Sequence, residues 1–194
     1  MALITLPSAF KPRTCRFKES VTQRVNASPF AGSEQAIDLL NDRWIVSIET
    51  VPLSPADATA IEVFIAAMRG QTNTVALYHF ARPIVAGTIA GAKTLSASAA
   101  QGAASVSITA TGTLLTGDMI GVGGLLLMVA QDCTSSAGVI TAPLTNRLRT
   151  ALSSGAAVTT TQPTANFRLL DTSGVQNTRG WSPPVSFDFG EAIS

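Results

Sequence analysis

The stretch RWIVSIETVPLSPADATAIEVFIAAMRG, Arg43–Gly70, contains the pattern of a β-strand followed at once by the pattern of an α-helix. Trp44, Val46 and Ile48 occupy every second position of its first part, which predicts a strand with one buried face. The helix pattern that follows carries an apolar stripe. We therefore expect this helix to pack on the sheet that contains the strand.

The predicted helix has signals at both ends. Ser54 suits the N-cap, Pro55 suits the first helical position, and Asp57 carries a carboxylate near the unpaired amides of the first turn. Gly70 is typical of the residue that closes a helix. The apolar stripe consists of residues spaced at i, i+3, i+4 and i+7, namely Ile61, Phe64, Ile65 and Met68. These signals predict one helix over residues 54–69.

Further strand patterns occur toward both ends of the chain. A period-2 pattern over residues 13–18 predicts one strand, and residues 166–170 and 185–189 predict two more. The first of these strands carries several basic side chains, including Arg13 and Arg16. They are interpreted either as a solvated strand face or as a contact with a negatively charged neighbouring subunit.

The segment between these outer strands differs in composition. From Val85 to Thr164 the chain contains only five of its 25 charged residues, and strand-like runs rich in small residues are separated by glycines. Gly121–Gly124 lies between two apolar runs and predicts a hairpin turn. We therefore expect a mainly β fold with one α-helix, in which a discontinuous β-sandwich domain (1–85 and 165–194) contains an inserted small β-barrel-like domain (86–164).

The low content of charged residues is the most informative feature of the composition. Charged residues make up 13% of the chain and apolar residues 46%, whereas a soluble domain usually has about 25% charged residues. We therefore expect other subunits to cover part of the surface. The formal net charge of +1 gives no general reason to expect nucleic acid as a partner. The longest nearly apolar run, Met119–Ala130, has 12 residues and is too short to span a membrane as a helix.

The sequence offers little of what catalysis requires. Its one histidine, His79, is expected to be structural rather than catalytic. No His, Cys or carboxylate residues have the spacing of a metal site, and no two acidic residues stand out as an acid–base pair. We therefore expect no enzyme activity, no cofactor and no metal. Cys15 and Cys133 are expected to be free thiols in a reducing compartment, although their pairing stays open, and the N-terminal residues lack the pattern of a secretory signal.

Several motifs follow one another in a particular order along the chain. SPFAGSEQ, Ser28–Gln35, precedes Arg43-Trp44, the Pro-capped helix and Arg69-Gly70. The next motifs are TGTLLTGDMIGVGGLLLMVAQD, GVITAPLTNRLRTALSSGAAV, FRLLD and WSPPVSFDFGEA. This order resembles minor tail proteins of the distal tail type, which belong to the tail tip of long-tailed bacteriophages. The two long motifs are similar to a small barrel of phage structural proteins, and the last two are similar to the closing strands of the outer sandwich.

The resemblance implies a ring-forming adaptor, expected to be hexameric, that joins the tail tube to the hub and the receptor-binding apparatus. Its partners would be copies of itself, the tail tube protein, the tail hub and the tape-measure protein. Its place would be the tail tip of the virion, after assembly in the host cytoplasm. A host receptor-binding or glycan-binding minor tail protein is the alternative.

Six residues are candidates for the interface of such a ring: Arg13, Arg16, Phe30, Gln35, Arg43 and Trp44. Residues 28–32 are expected to form a turn with Phe30 as an anchor, and Arg43 and Trp44 to lie at or beneath an interface. For Phe30 and Trp44 the alternative is burial in the core of their own subunit.

Overall fold

The computed structural model describes residues 1–27, 32, 34–39 and 41–192. Over these residues the fold is mainly β with one helix, so the predicted fold class is confirmed. The helix is α1 (Pro55–Met68). In chain order the strands are β1 (Leu3–Ile4), β2 (Pro12–Ser20), β3 (Gln23–Ala27), β4 (Glu34–Asp38), β5 (Arg43–Thr50), β6 (Thr74–Leu77), β7 (Ala90–Leu95), β8 (Ser105–Thr111), β9 (Thr113–Leu114), β10 (Met119–Val122), β11 (Leu125–Met128), β12 (Cys133–Thr134), β13 (Val139–Pro143), β14 (Val158–Thr159), β15 (Ala165–Thr172) and β16 (Ser186–Glu191).

A six-stranded sheet forms the framework of the fold, with the strand order β1-β6-β15-β16-β5-β2. β1 runs parallel to β6, and the other neighbouring strands are antiparallel. Trp44, Val46 and Ile48 of β5 are buried, and so are Phe187 and Phe189 of β16. The residues between them on these two strands are exposed or only half-buried. The predicted burial of one face is therefore confirmed for both strands.

Helix α1 begins and ends where its sequence signals predict. The Asp57 amide donates a hydrogen bond to the Ser54 hydroxyl at 3.2 Å, and Pro55 is the first helical residue. Arg69 takes the left-handed conformation, with φ 48°, just before Gly70. The buried stripe of the helix consists of Ala58, Ile61, Phe64 and Met68, and Ile65 is only partly buried.

Helix α1 and part of the inserted segment cover the buried face of the six-stranded sheet. Met119 and Leu126 belong to the same hydrophobic cluster as the sheet and the helix. Phe10, in the loop before β2, joins this cluster, with its ring centroid 5.2 Å from that of Phe187. The strands before and after the insert therefore complete one sheet, and the helix and the insert supply the apolar surface that covers it.

The inserted segment has a second hydrophobic cluster, formed by residues 85–158. Its strands form three open sheets, β13-β8-β7, β11-β10-β14 and β12-β9. The predicted hairpin is present, with Val122 of β10 opposite Leu125 of β11. No sheet of the described residues closes into a barrel, since β9, β12 and β14 have two residues each and cannot carry the pairing around the core. The division of the chain into two domains stays a prediction.

A tightly packed turn holds the first residues of the inserted segment. The Asp118 carboxylate accepts hydrogen bonds from the amides of Ala86 at 2.7 Å, Gly87 at 3.1 Å and Leu115 at 2.8 Å. A Cβ atom at Gly87 would lie 2.8 Å from the Cα of Leu114, which is too close for any other residue. The segment 114–118 therefore joins the start of the insert to the turn before β10.

Candidate subunit interface

The β3–β4 hairpin is the most openly exposed part of the described fold. Its strands pair antiparallel, from Gln23 opposite Asp38 to Ala27 opposite Glu34. Among the described residues they pair with no other strand. Every side chain of both strands is exposed, so no described part of this subunit covers either face of the hairpin.

Apolar side chains lie along the hairpin and at its base. Val21, Val25, Ile37 and Leu39 have exposed fractions of 46, 56, 40 and 53%. A two-stranded hairpin on its own is at best marginally stable in water, because it buries too little apolar surface to offset the cost of ordering its residues. A second molecule that covered these side chains would therefore stabilise the hairpin.

The base of the hairpin is attached to the inserted segment by an ion pair. Asp38 Oδ2 lies 3.4 Å from Arg147 Nε, and both side chains are partly exposed. The Leu39 amide donates to the Thr22 carbonyl oxygen at 3.1 Å and closes the hairpin there. Since exposed ion pairs contribute only about 0–1 kcal/mol, this pair orients the hairpin more than it stabilises the fold.

The predicted interface residues occupy three places in the structure. Gln35 is exposed on β4. Arg13 and Arg16 are exposed on β2, where the register with β5 shifts between Pro12 and Thr14. Arg43 is exposed at the start of β5, opposite the last residue of β2. Phe30 lies outside the described residues, so its role as an anchor stays a prediction.

Trp44 belongs to the core of the subunit. Its side chain is 3% exposed, and its Nε1 donates a hydrogen bond to the Leu126 carbonyl oxygen at 2.8 Å. Its ring meets the ring of Phe17 edge-on, with the centroids 6.1 Å apart. The core alternative is therefore confirmed for Trp44, which connects β5 with the inserted segment.

A buried ion pair lies next to Trp44 at the same junction. Arg149 Nη2 is 2.6 Å from Glu191 Oε1, and both side chains are nearly inaccessible. The other carboxylate oxygen of Glu191 accepts from the Trp44 amide at 3.0 Å, and Arg149 Nη1 donates to the Asp42 carbonyl oxygen at 3.2 Å. Burial raises the pKa of Glu191, and the charge of Arg149 opposes this shift.

This ion pair was not predicted from the sequence. Arg149 is one of five charged residues between Val85 and Thr164, and a lone charge in such a segment is a signal that it has a buried partner. Glu191 ends a strand whose neighbouring side chains are phenylalanines. The sequence thus indicates burial for Arg149 and for Glu191 separately, but nothing in it indicates that their side chains meet.

A cleft of about 730 Å³ lies between the base of the hairpin, the six-stranded sheet and the inserted segment. Leu39, Asn41, Gly124, Arg149 and Arg168 are among its lining residues. The described lining contains no carboxylate, histidine or cysteine, the side chains that most often act in acid–base and nucleophilic catalysis. In the described ranges no three His, Cys, Asp or Glu residues are grouped to hold a metal ion.

His79 is buried and makes structural contacts. Its ring stacks on the ring of Phe17, with the centroids 4.6 Å apart, and its Nε2 lies 3.2 Å from Arg82 Nη2. Arg82 Nη1 donates to the Gly117 carbonyl oxygen at 2.8 Å. Burial lowers the pKa of His79, and the charge of Arg82 lowers it further. His79 is therefore neutral at pH 7 and accepts a hydrogen bond from Arg82 through Nε2.

Titration of His79 is expected to reduce the stability of the protein in mild acid. Because the folded-state pKa lies below the ordinary value of 6.5, the unfolded chain binds the proton first, and the free energy of unfolding falls as the pH drops below 6.5. One such group contributes a slope of at most about 1.4 kcal/mol per pH unit. Urea denaturation of wild type and His79→Gln at pH 7.5 and 5.5 measures this fall in the free energy of unfolding.

The glutamine variant keeps an acceptor near Arg82 but cannot titrate. Glu19 and Glu191, whose pKa values are raised mainly by burial, titrate in both proteins and cancel in the comparison. We expect the wild type to lose more stability than the variant between the two pH values. Equal losses would show that His79 does not change its protonation on unfolding.

Comparison with known protein families finds no match, and a search of curated proteins finds none with significant similarity. Within the described ranges, the structure contains no helix with the length and apolarity needed to cross a membrane. Cys15 and Cys133 are free thiols.

Proposed function

We propose that this chain is a structural subunit of a bacteriophage tail tip and forms an oligomeric ring between the tail tube and the hub or receptor-binding apparatus. The observation that carries the proposal is the β3–β4 hairpin, whose side chains are exposed on both faces. A hairpin of this kind, here called the arm, needs a second molecule to cover it. The motif order described above supplies the link to the tail tip, and the subunit acts by contact, without catalysis.

The low charge of the chain agrees with this proposal. A ring subunit hides two lateral flanks from water and shares its remaining faces with other components of the tail. A surface that is hidden in this way does not need many charged side chains, and charged residues make up 13% of this sequence.

The junction between the sheet and the insert would let the subunit act as one rigid body in the ring. Trp44 and the Arg149–Glu191 pair connect β5 and β16 with the inserted segment through buried hydrogen bonds. Because breaking such bonds exposes unsatisfied buried groups, this junction resists hinge motion between the two parts. A force applied to the insert would be passed to the six-stranded sheet.

The oligomeric state of the purified protein tests the proposal. Light scattering after gel filtration should show a ring-sized species, expected to be a hexamer, whose mass does not grow further with concentration. Replacing Val25 and Ile37 with serine should shift this species toward single subunits, since it removes apolar contacts of the arm. Val63→Ser is the matched control, because Val63 is equally apolar and exposed but lies on α1.

A protein that stays a single subunit at all concentrations would contradict a ring-forming role. Electron microscopy of phage particles labelled on this protein should place the label at the distal end of the tail. A label at the head, or no label on mature particles, would argue against the tail tip.

An exposed tryptophan favours a second candidate, a glycan-binding minor tail protein. Trp181 is 71% exposed, in the loop before β16, and an exposed indole is suited to stack on a sugar ring. In that case the isolated protein should bind host surface polysaccharide, and Trp181→Ala should abolish the binding while leaving the fold intact.

A further inference from the structure

The six-stranded sheet ends in two very different edges. β1, at one end, has two residues, whereas β2, at the other end, has nine. Among the described residues β2 pairs only with β5, so its outer edge presents a row of backbone donors and acceptors. A long free edge of this kind is a template on which a further strand can pair.

The β2 edge and the hairpin carry opposite charges. Arg13, Arg16 and Lys18 are exposed on β2, whereas its one acidic residue, Glu19, is half-buried. Glu34 and Asp38 are the charged residues of β4, of which Asp38 already pairs with Arg147, whereas β3 carries only Arg24. We infer that the hairpin of one copy adds its β4 strand to the β2 edge of a neighbouring copy. This inference rests on the proposed function, because it names the two surfaces that meet in the ring.

The acceptor edge is assigned to another copy because, among the described residues, β2 and the hairpin of one chain do not pair. Only Val21 and Thr22 separate β2 from β3, and the hairpin strands lie in a sheet of their own. The hairpin and the β2 edge are therefore presented as two separate surfaces of each subunit. When two different surfaces of one chain fit each other, the contact is head-to-tail and can close into a ring.

Basic residues on an edge strand also serve to keep other strands away. Arg16 and Lys18 would repel a basic strand and would make pairing with an uncharged one costly. A strand with carboxylates is instead attracted, since opposite charges on neighbouring strands are favourable and like charges are not. The charges of β2 thus select for a strand such as β4.

A mixing experiment with two complementary variants tests the contact directly. The first variant lacks the arm: Gly-Gly replaces residues 23–38, between Thr22 and Leu39, which are already hydrogen-bonded. The second variant keeps the arm and carries Arg16→Glu with Lys18→Glu. Each variant alone should fail to form rings. An equimolar mixture should form a complex of two copies that grows no further, because only one arm and one edge remain intact.

The charge change needs a control and a rescue. Arg69→Glu with Arg179→Glu alters the net charge equally at exposed sites away from β2 and should leave the ring intact. In the variant with Arg16→Glu and Lys18→Glu, here called the edge variant, the new carboxylates face those of β4. This repulsion should weaken ring assembly by more than about tenfold. Adding Glu34→Arg to the edge variant should restore much of the assembly. Circular dichroism of each variant verifies that the subunit is folded.

Cross-linking identifies the strands in contact. In a background with Cys15→Ser and Cys133→Ser, Gln35→Cys on β4 is combined with one cysteine on β2, at Thr14, Arg16 or Lys18. Because a disulfide requires Cα atoms about 4.4–6.8 Å apart, oxidation should link subunits for at least one of these pairs. Gln35→Cys with Ala66→Cys, on the exposed side of α1, should remain unlinked.

The outcomes separate this inference from the proposed function. Rings in the wild type, a two-copy complex in the mixture and a β2–β4 cross-link support both. Rings that persist in the edge variant, with no cross-link at any of the three positions, overturn the inference and leave the ring proposal standing. A wild type that never assembles overturns the ring proposal and the inference with it.

Discussion

Arg149→Ala is expected to lower the free energy of unfolding by about 3–5 kcal/mol, because it leaves a buried carboxylate without its partner. The Glu191 side chain is 3% exposed and lies 2.6 Å from Arg149, so in the intact protein the guanidinium and not water compensates its charge. The variant also loses the hydrogen bond to the Asp42 carbonyl oxygen. Urea denaturation followed by tryptophan fluorescence measures the change, since Trp44 lies at this junction.

Two further variants show whether the loss comes from the unpaired charge. Arg147→Ala, two residues away, removes an exposed ion pair and should change stability by less than about 1 kcal/mol. Arg149→Met combined with Glu191→Gln removes both charges and keeps an acceptor for the Trp44 amide. It should recover more than half of the loss, because a buried ion pair can be replaced by neutral groups at little cost. An Arg149→Ala variant as stable as Arg147→Ala would contradict the argument.

The loss in Arg149→Ala should also depend on pH. Without Arg149, only the backbone hydrogen bonds of Trp44 and Leu126 oppose the effect of burial, so the pKa of Glu191 rises further above the ordinary value of 4.5. Between 4.5 and the raised pKa, the folded variant binds a proton that the unfolded chain does not. The free energy of unfolding of the variant should therefore rise relative to wild type as the pH falls from 7.5 toward 5. A gap that stays constant with pH would mean that Glu191 remains ionised.

The parts of the fold that the sequence predicted are those with local signals. Ser54 and Pro55 specify the start of α1 by hydrogen bonding and backbone geometry within one turn. The alternation of Trp44, Val46 and Ile48 specifies the buried face of β5 in the same local way. What covers that face is decided by long-range packing: α1 was expected to pack there, but the contribution of Met119 and Leu126 from the insert has no local signal.

The hairpin strands were not predicted, although residues 28–32 were expected to form a turn. QRVNA and EQAID show no alternation of apolar and polar residues, because neither face of the hairpin is buried in the subunit. Predicting a strand from sequence depends on a difference in polarity between its two faces, and these segments have none.

The junction could not be predicted for a different reason. Arg149 and Glu191 are 42 residues apart, and no local rule indicates that they meet. The assignment of Trp44 to an interface or to the core was likewise left open by its sequence context. In the structure Trp44 bonds to Leu126 and Glu191, which places it in the core. Both residues lie far from Trp44 in sequence, so its local sequence could not reveal this.

Asp118→Ala is expected to lower the free energy of unfolding by about 2–4 kcal/mol, because it leaves three backbone amides without their acceptor. An unpaired donor costs about 1–3 kcal/mol, and water reaches these amides only in part. The carboxylate accepts from three amides, those of Ala86, Gly87 and Leu115. Asp118 is the acceptor that the structure gives for these three amides, and Gly87 lies too close to the backbone of Leu114 for the turn to shift easily. Urea denaturation gives the size of the loss, and hydrogen exchange shows whether residues 86–88 lose protection first.

Two controls separate the hydrogen bonds from other effects at this turn. Asp118→Asn keeps one acceptor oxygen of similar shape and should lose less stability than Asp118→Ala. Asp132→Ala removes another carboxylate that bonds the turn, through the amide and hydroxyl of Thr116, but it is exposed and water can take its place. It should therefore cost less than either change at Asp118. If Asp118→Ala and Asp132→Ala were equally stable, the three amides would have to be hydrated in the folded protein, and Asp118 would not be what holds the insert to its turn.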